Sequence, residues 1–140
     1  MNSIMKKGVI ALFLIVGLLL MQAEVATAYG SQDSGSIYNG AINYTFSNYI
    51  SPSKYTGDAK TVTSSQLSGV MVSVSATFYW VDYEKQTFGS NNKHRDDYAN
   101  VTVYADSLTG TGKYYYQVDS HHAVSYGNAS YSNDLSTFVP

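Results

Sequence analysis

The stretch VMVSVSATFYWVDY, residues 70–83, decides the fold of this chain. Its even positions carry a run of apolar side chains, whereas most of its odd positions carry Ser, Thr or Tyr. The even set consists of Val70, Val72, Val74, Ala76, Phe78 and Trp80. In an α-helix the apolar residues would recur every three or four positions, so a period of two over this length predicts a long central β-strand with one buried face.

The same alternation recurs on both sides of this strand. It covers residues 41–47, 98–106 and 113–125, and residues 126–140 are expected to add a short edge strand or a frayed tail. The segment FGSNNKHRDD, residues 88–97, is polar after Phe88 and is expected to be a loop. Short strands separated by turn residues, without an amphipathic helical pattern, predict one all-β domain over residues 41–140. Its architecture is an antiparallel β-sandwich or a small barrel.

The N-terminal residues predict export. Lys6 and Lys7 precede an apolar run over residues 8–21, and the small-residue sequence ATA ends at Ala28. This is the pattern of a secretory signal peptide over residues 1–28, cleaved after Ala28. The apolar run is shorter than the about 20 residues that span a bilayer, so we expect a secreted protein without stable membrane insertion of the mature chain. Residues 29–40 are polar and glycine-rich and are expected to form a flexible arm.

Charge and composition exclude several classes of function. The chain after residue 28 carries six Lys or Arg and nine Asp or Glu, a formal net charge of −3. This balance argues against nucleic acid as a partner, because binding to phosphates requires a clustered basic surface. The chain has no cysteine, which excludes disulfides, thiol catalysis and thiolate metal sites. All 14 tyrosines follow residue 28, and a composition rich in Tyr and Thr favours strands.

Three polar clusters are candidate reactive sites. Asp119 and His121 share a strand face and form a conceivable acid–base or metal-binding pair, although His122 points the other way and no third ligand is visible. Strand-end histidines facing solvent are the simpler interpretation. The run Lys93–Asp97 and the pair Asp82 and Glu84 are best explained as solubilising charges. No catalytic motif occurs, so we expect no enzymatic activity, no cofactor and no metal.

Outward-facing aromatic side chains give the better functional lead. Tyr79, Tyr83, Tyr104 and Tyr115, together with Trp80, are expected to form a ladder across neighbouring strands. Flat rings beside hydrogen-bonding groups suit a sugar or a protein partner. Cross-strand pairing that only stabilises the sheet, by about 0.2–1 kcal/mol per pair, explains the set equally well. The predicted binding residues are these four tyrosines and His121.

The order of several segments resembles the lactococcin 972 family of small secreted bacteriocins. The matching segments are Phe46-Ser47-Asn48-Tyr49, Ser53-Lys54-Tyr55, Gly69-Val70 at the start of the alternating strand, and Lys113-Tyr114-Tyr115-Tyr116. The resemblance covers residues 46–116. The chain departs from the family at Met71, where the family favours Trp, and it carries an extra polar segment at 89–97. It also lacks the family's early histidines and continues past Tyr116. The resemblance implies a β-sandwich that engages the cell-wall precursor lipid II and blocks septum formation.

Three functions follow as expectations. The first is a secreted, non-enzymatic bacterial protein that binds a cell-envelope component, with bacteriocin-like antagonism as its sharpest form. The second is a matrix protein whose flat strands self-associate into a homo-oligomer or fibre at exposed edges. The third is a secreted carbohydrate-binding module. An enzyme using Asp119 and His121 ranks below all three.

Overall fold

The described part of the chain forms eight antiparallel strands in two four-stranded sheets. The computed structural model describes residues 29–51, 56–65 and 67–140. The predicted signal peptide, residues 1–28, lies outside them. The strands are β1 (Tyr29–Ile37), β2 (Ile42–Ser51), β3 (Thr56–Ser64), β4 (Met71–Asp82), β5 (Thr87–Tyr98), β6 (Asn100–Tyr104), β7 (Lys113–Tyr126) and β8 (Ala129–Phe138). The first sheet has the order β1-β2-β3-β6 and the second has the order β5-β4-β7-β8. Among the described residues there is no helix, and therefore none that is long and apolar enough to cross a membrane.

The core lies between the two sheets, as expected for a β-sandwich. On β4, Val72, Val74 and Phe78 are fully buried, which confirms the predicted central strand. They pack in one cluster with Ile42 and Phe46 of the first sheet. Burying each side chain of this size contributes about 1.5–3 kcal/mol. Two facing layers of such residues therefore hold together a domain without cysteine.

The prediction of a flexible arm over residues 29–40 is wrong for most of that segment. β1 pairs with β2 over its whole length, from Tyr29 opposite Ile50 to Ile37 opposite Ile42. Asn39 and Gly40 have φ values of 53° and 84°, and the Ala41 amide donates to the Tyr38 carbonyl at 3.1 Å. An Asn-Gly turn of this kind is the strongest short-range hairpin signal. β1 was missed because backbone pairing, rather than an apolar face, holds it in place.

The polar segment 88–97 is also a strand. β5 pairs with β4 from Thr87 opposite Asp82 to Tyr98 opposite Met71, and none of its residues is buried. Lys93 and Arg95 occupy positions opposite inward-facing Ala76 and Val74. Inward-pointing charges on an edge strand discourage pairing with another chain. An edge strand of this type lacks the apolar alternation by which strands are recognised in a sequence.

A β-bulge in β7 corrects the prediction for Tyr115. Tyr79 pairs with Gln117, but Trp80 pairs with Tyr115, so Tyr116 is an extra residue on β7. An extra residue shifts the alternation of the side chains by one position. Tyr115 therefore points inward and is fully buried. Its hydroxyl accepts a hydrogen bond from Asn91 Nδ2 and donates one to the Asp106 carbonyl, both at 2.6 Å.

Candidate functional site

The structure does not bring the five predicted binding residues together. Tyr79 and His121 belong to the second sheet and Tyr83 lies in the turn after β4, whereas Tyr104 ends β6 in the first sheet. Tyr115 lies in the core, where it stabilises the fold and is not accessible to a ligand. The expected four-tyrosine ladder is therefore wrong. A different set of aromatic residues meets at one end of the second sheet.

We call this set the aromatic end. It consists of Tyr79, Tyr83, Phe88, Tyr114, Tyr116 and Phe138. The ring centroids are 6.4 Å apart for Tyr79 and Tyr116, 6.3 Å for Tyr116 and Phe138, and 5.7 Å for Tyr83 and Tyr114. Tyr83, Phe88, Tyr116 and Phe138 border an open depression of about 450 Å³. The bulge matters here, because it adds Tyr116 to this surface.

The exposure of the aromatic end exceeds what packing requires. Phe88 is 72% exposed, Phe138 is 58% exposed and Tyr83 is 63% exposed. Val81, which also borders the depression, is only 6% exposed. Large apolar rings that remain in water around a covered aliphatic floor are typical of an interaction site. Cross-strand stabilisation alone does not explain two phenylalanines this exposed.

Trp80 lies beside the aromatic end on the inward side of β4. Its indole ring covers Gly89, its partner on β5, so closely that a Cβ built on Gly89 would lie 2.2 Å from the ring. The Lys113 ammonium is 4.8 Å from the ring centroid, within the range of a cation–π contact. The ring is half-buried and packs against the core. Gly89 is therefore required by the close approach of the ring.

A second feature, which we call the polar groove, lies on the outer face of the same sheet. It has a volume of about 600 Å³ and is lined by Ser75, Thr77, Asn92, His94, Asp119, His121, Asp134 and Ser136, among others. The register places His94, Ser75, His121 and Asp134 in one row across all four strands. Small side chains on β4 lie between larger ones on the neighbouring strands. This difference in height creates the groove.

Hydrogen bonds fix the side chains of the polar groove. His94 Nδ1 lies 2.6 Å from Ser75 Oγ, and His94 Nε2 lies 3.1 Å from Asp96 Oδ2. His121 Nδ1 lies 2.7 Å from Asp134 Oδ1. Asp119 accepts hydrogen bonds from Gln117 Nε2 and from Ser136 Oγ. Asp119 and His121 therefore have separate partners, and the acid–base pair considered from the sequence is not formed.

The geometry around Ser75 lacks the backbone donors of an acyl-transfer site. Ser75, His94 and Asp96 superficially resemble a nucleophile, a base and an orienting carboxylate. Ser75, however, lies in the middle of β4, which is paired with β5 on one side and with β7 on the other. The strand amides next to Ser75 are thus committed to the sheet and are not available to stabilise an oxyanion. Within the described part of the chain, no three His, Asp or Glu side chains converge as ligands for a metal ion.

His122 is fully buried, which makes the expectation of a solvent-facing histidine wrong. Thr61 Oγ1 donates to the Ser73 carbonyl at 2.9 Å, so its single hydrogen is already used. His122 Nδ1 must then donate to Thr61 Oγ1, at 2.9 Å, and His122 Nε2 accepts from Ser120 Oγ at 2.7 Å. The ring also stacks on Phe46. Burial lowers the pKa of His122 to about 4, so the imidazole is neutral at pH 7.

Asn48 extends this buried network to the edge of the sandwich. Its side-chain amide donates to Ser120 Oγ at 3.1 Å, and its oxygen accepts from the Ser31 amide at 3.1 Å and from Thr137 Oγ1. Ser31 Oγ in turn donates to the Ser136 carbonyl at 2.6 Å. These contacts connect β1 and β8, the neighbouring edges of the two sheets. The network is structural, and it meets the floor and rim of the polar groove at Ser120 and Ser136.

Comparisons with known proteins add no relatives: no family model matches this chain, and neither a curated protein nor a solved structure does. The resemblance to the lactococcin 972 family therefore stays a prediction. The case for a function depends on the aromatic end and the polar groove.

Proposed function

We propose that this protein is a secreted, non-enzymatic binding protein whose target is a carbohydrate of a bacterial cell envelope. The observation that carries the proposal is the aromatic end, in which exposed Phe and Tyr rings surround a depression. Aromatic rings supply large, rigid contact areas at low entropic cost, and Tyr adds a hydroxyl that can bond to polar groups. The apolar faces of sugar rings are suited to such surfaces.

Charge supports a glycan over other extracellular polymers. The net charge of −3 after residue 28 disfavours nucleic acid and simple adsorption to anionic lipid. Hydroxyl, amide and carboxylate groups border the aromatic rings on the same sheet face. This combination is typical of pockets in which apolar contacts give affinity and a few polar groups give orientation.

The signal-like segment 1–28 supports action outside the cell, and its cleavage after Ala28 belongs to the proposal. The most specific form of the proposed function is bacteriocin-like antagonism. The lactococcin 972 resemblance implies lipid II as the envelope component in that case. Inhibition of related bacteria by the purified protein, together with an N-terminus at Tyr29 by mass spectrometry, would support this form.

Binding is preferred over assembly into a matrix because of the sheet edges. β5 carries Lys93, Arg95, Asp96 and Asp97, and such charges hinder edge-to-edge pairing. At the opposite side, β1 and β8 face each other and are joined through Ser31 and Ser136. Fibres with a cross-β diffraction pattern at working concentrations would contradict this preference.

Two equally exposed tyrosines provide the decisive comparison. Tyr83 belongs to the aromatic end and Tyr104 lies on the first sheet, and they are 63% and 65% exposed. We expect Tyr83→Ala to lower retention of the protein on insoluble peptidoglycan, chitin or cellulose by about tenfold, because one stacking contact of about 1.4 kcal/mol is lost. Tyr104→Ala is the matched control and should bind like the unmodified protein.

The measurement is the bound fraction in a pull-down at several polymer concentrations. If the unmodified protein binds none of the three polymers, the proposal is overturned. Equal losses in the two variants would also overturn it, because they would place binding elsewhere.

A further inference from the structure

The aromatic end and the polar groove lie in line along the same strand. From the middle of β4 to its end, the outward-facing residues are, in order, Ser75, Thr77, Tyr79 and Val81. Ser75 and Thr77 line the polar groove, and Val81 lines the depression at the aromatic end. Six residue steps of a strand separate Ser75 from Val81, a distance of about 20 Å. Tyr79 is the member of the aromatic end nearest to the groove on β4, and its ring lies 6.4 Å from that of Tyr116.

The neighbouring strand β7 follows the same course. Asp119 is opposite Thr77, and His121 is opposite Ser75. Gln117 is opposite Tyr79 and donates to Asp119 from its Nε2 atom, at distances of 2.9 and 3.0 Å to the two carboxylate oxygens. Polar side chains that can bond to a ligand thus continue directly from the aromatic rings into the groove.

The charges of the groove restrict the ligand. Asp96, Asp119 and Asp134 place three carboxylates in or beside it, and the two histidines are each paired with one of them. Lys93 also borders the groove, but its ammonium is paired with Asp106. Like charges placed opposite each other across an interface are strongly unfavourable. An acidic polymer is therefore disfavoured, whereas a chain of uncharged hydroxyl groups finds both donors and acceptors.

We propose that the ligand is an extended, uncharged oligosaccharide that lies along β4 and β7, with one part stacked on the aromatic end and the next part seated in the polar groove between His94 and His121. This inference rests on the proposed carbohydrate-binding function. It adds that the protein recognises the interior of a chain at least about 20 Å long rather than a single terminal sugar, so it favours polymerised wall glycan over the monomeric precursor lipid II.

The test uses N-acetylglucosamine oligomers of increasing length and titration calorimetry with the purified protein. Affinity is expected to rise with each added sugar until the oligomer spans about 20 Å and then to level off. A tenfold or greater gain between the shortest oligomer that binds and the plateau is expected, because each region contributes separate contacts. An oligogalacturonate of plateau length, which carries carboxylates, should bind at least about tenfold more weakly.

A groove-blocking variant separates the two regions. Ser75→Tyr fills the floor of the groove between the two histidines, and Tyr is well tolerated on a strand face. It should reduce the affinity of long oligomers to that of short ones while leaving short oligomers, which use the aromatic end, unchanged. Ser130→Tyr, on the outer face of β8 beyond the groove, is the matched control. Asp119→Asn keeps the shape of the side chain and should lower the affinity for long oligomers severalfold.

The outcomes distinguish the two proposals. If the monosaccharide binds as tightly as the longest oligomer, or if Ser75→Tyr and Asp119→Asn leave the affinity of long oligomers unchanged, the extended site is overturned and the carbohydrate-binding function survives. If no oligomer binds and no polymer retains the protein, the carbohydrate-binding function fails and the extended site fails with it.

Discussion

His122 shows how a single residue makes the interior sensitive to acid. Both ring nitrogens are engaged in the neutral form, Nδ1 as donor to Thr61 and Nε2 as acceptor from Ser120. A second proton on Nε2 would point at a hydroxyl that already donates to it. Ser120 Oγ would then have to turn toward the Leu135 carbonyl, which lies 3.4 Å away. Protonation therefore costs a buried charge and a rearranged hydrogen bond.

The consequence is a defined loss of stability on acidification. Histidine in the unfolded chain titrates near pH 6.5, whereas the pKa of His122 in the fold is about 4. Between these values the unfolded chain binds a proton that the folded protein does not, so the free energy of unfolding falls as the pH is lowered from 6.5 to 4. This residue should account for about 3 kcal/mol of that fall. Urea titrations at several pH values measure it.

Replacement of each neighbouring histidine isolates the effect. His122→Asn should remove this part of the pH dependence, although the variant is less stable at pH 7. His121→Asn is the control: His121 is exposed on the opposite face of β7, and since burial is the larger cause of the lowered pKa of His122, this variant should keep most of the dependence. A similar slope in the protein and in His122→Asn would contradict the assignment.

At the scale of the element, the bulge in β7 lets one strand place an aromatic ring in the core and the next one on the outer surface. Tyr115 faces the core, while Tyr116 and Gln117 both follow on the outer side before Val118 returns to the interior. If Tyr116 were deleted, Tyr115 and Val118 would be two positions apart, and both would still point inward in a regular ladder. The bulge is therefore not needed to fill the core, and its effect is to add a ring to the aromatic end.

Deletion of one residue tests this interpretation. A variant lacking Tyr116 should fold, with a loss of about 1 kcal/mol from the hydrogen bond between the Val139 amide and the Tyr116 carbonyl, and should lose carbohydrate binding. A variant lacking Gln117 also removes the bulge but leaves Tyr116 opposite Tyr79. Thermal unfolding and the pull-down, applied to both variants, separate the ring from the bulge. Full binding without Tyr116 would refute the role assigned to it.

The elements also show what could be predicted from the sequence. β4 is predictable because its apolar side chains alternate, and its burial follows that pattern. β5 is not, because an edge strand with Lys93 and Arg95 at inward positions has no apolar face. The prediction that Tyr115 faces outward is wrong because the amino-acid composition does not reveal a bulge. The aromatic end is predictable only at Tyr79 and Tyr83, because Phe88 and Phe138 lie in segments that the sequence does not predict as regular strands.

At the scale of the whole molecule, one amide connects both sheets. Asn48 of β2 contacts Ser31 of β1, Ser120 of β7 and Thr137 of β8. The first two strands belong to the first sheet and the last two to the second. In a domain without disulfides, this network supplements apolar packing in joining the layers at the β1 and β8 edge.

Removal of the Asn48 side chain should open that edge. Asn48→Ala leaves the Ser31 amide, Ser120 and Thr137 without their shared partner, and unsatisfied buried groups cost about 1–3 kcal/mol each. We expect a loss of about 3 kcal/mol in urea unfolding and faster amide exchange in β1 and β8 than in β4. Asn43→Ala, at an exposed position of the same strand, should change neither quantity. Uniform acceleration in all strands would contradict a local role.

The indole of Trp80, which covers Gly89, gives the protein an intrinsic fluorescent probe for binding experiments. Trp80 is the only tryptophan in the chain. Fluorescence excited at the long-wavelength edge of tryptophan absorption therefore reports on this one location. That location adjoins the rings to which a sugar is expected to bind, and Lys113 lies over it as a potential quencher. The molecule thus carries its own optical probe, and occupancy can be followed as a change in intensity or wavelength without attaching a dye.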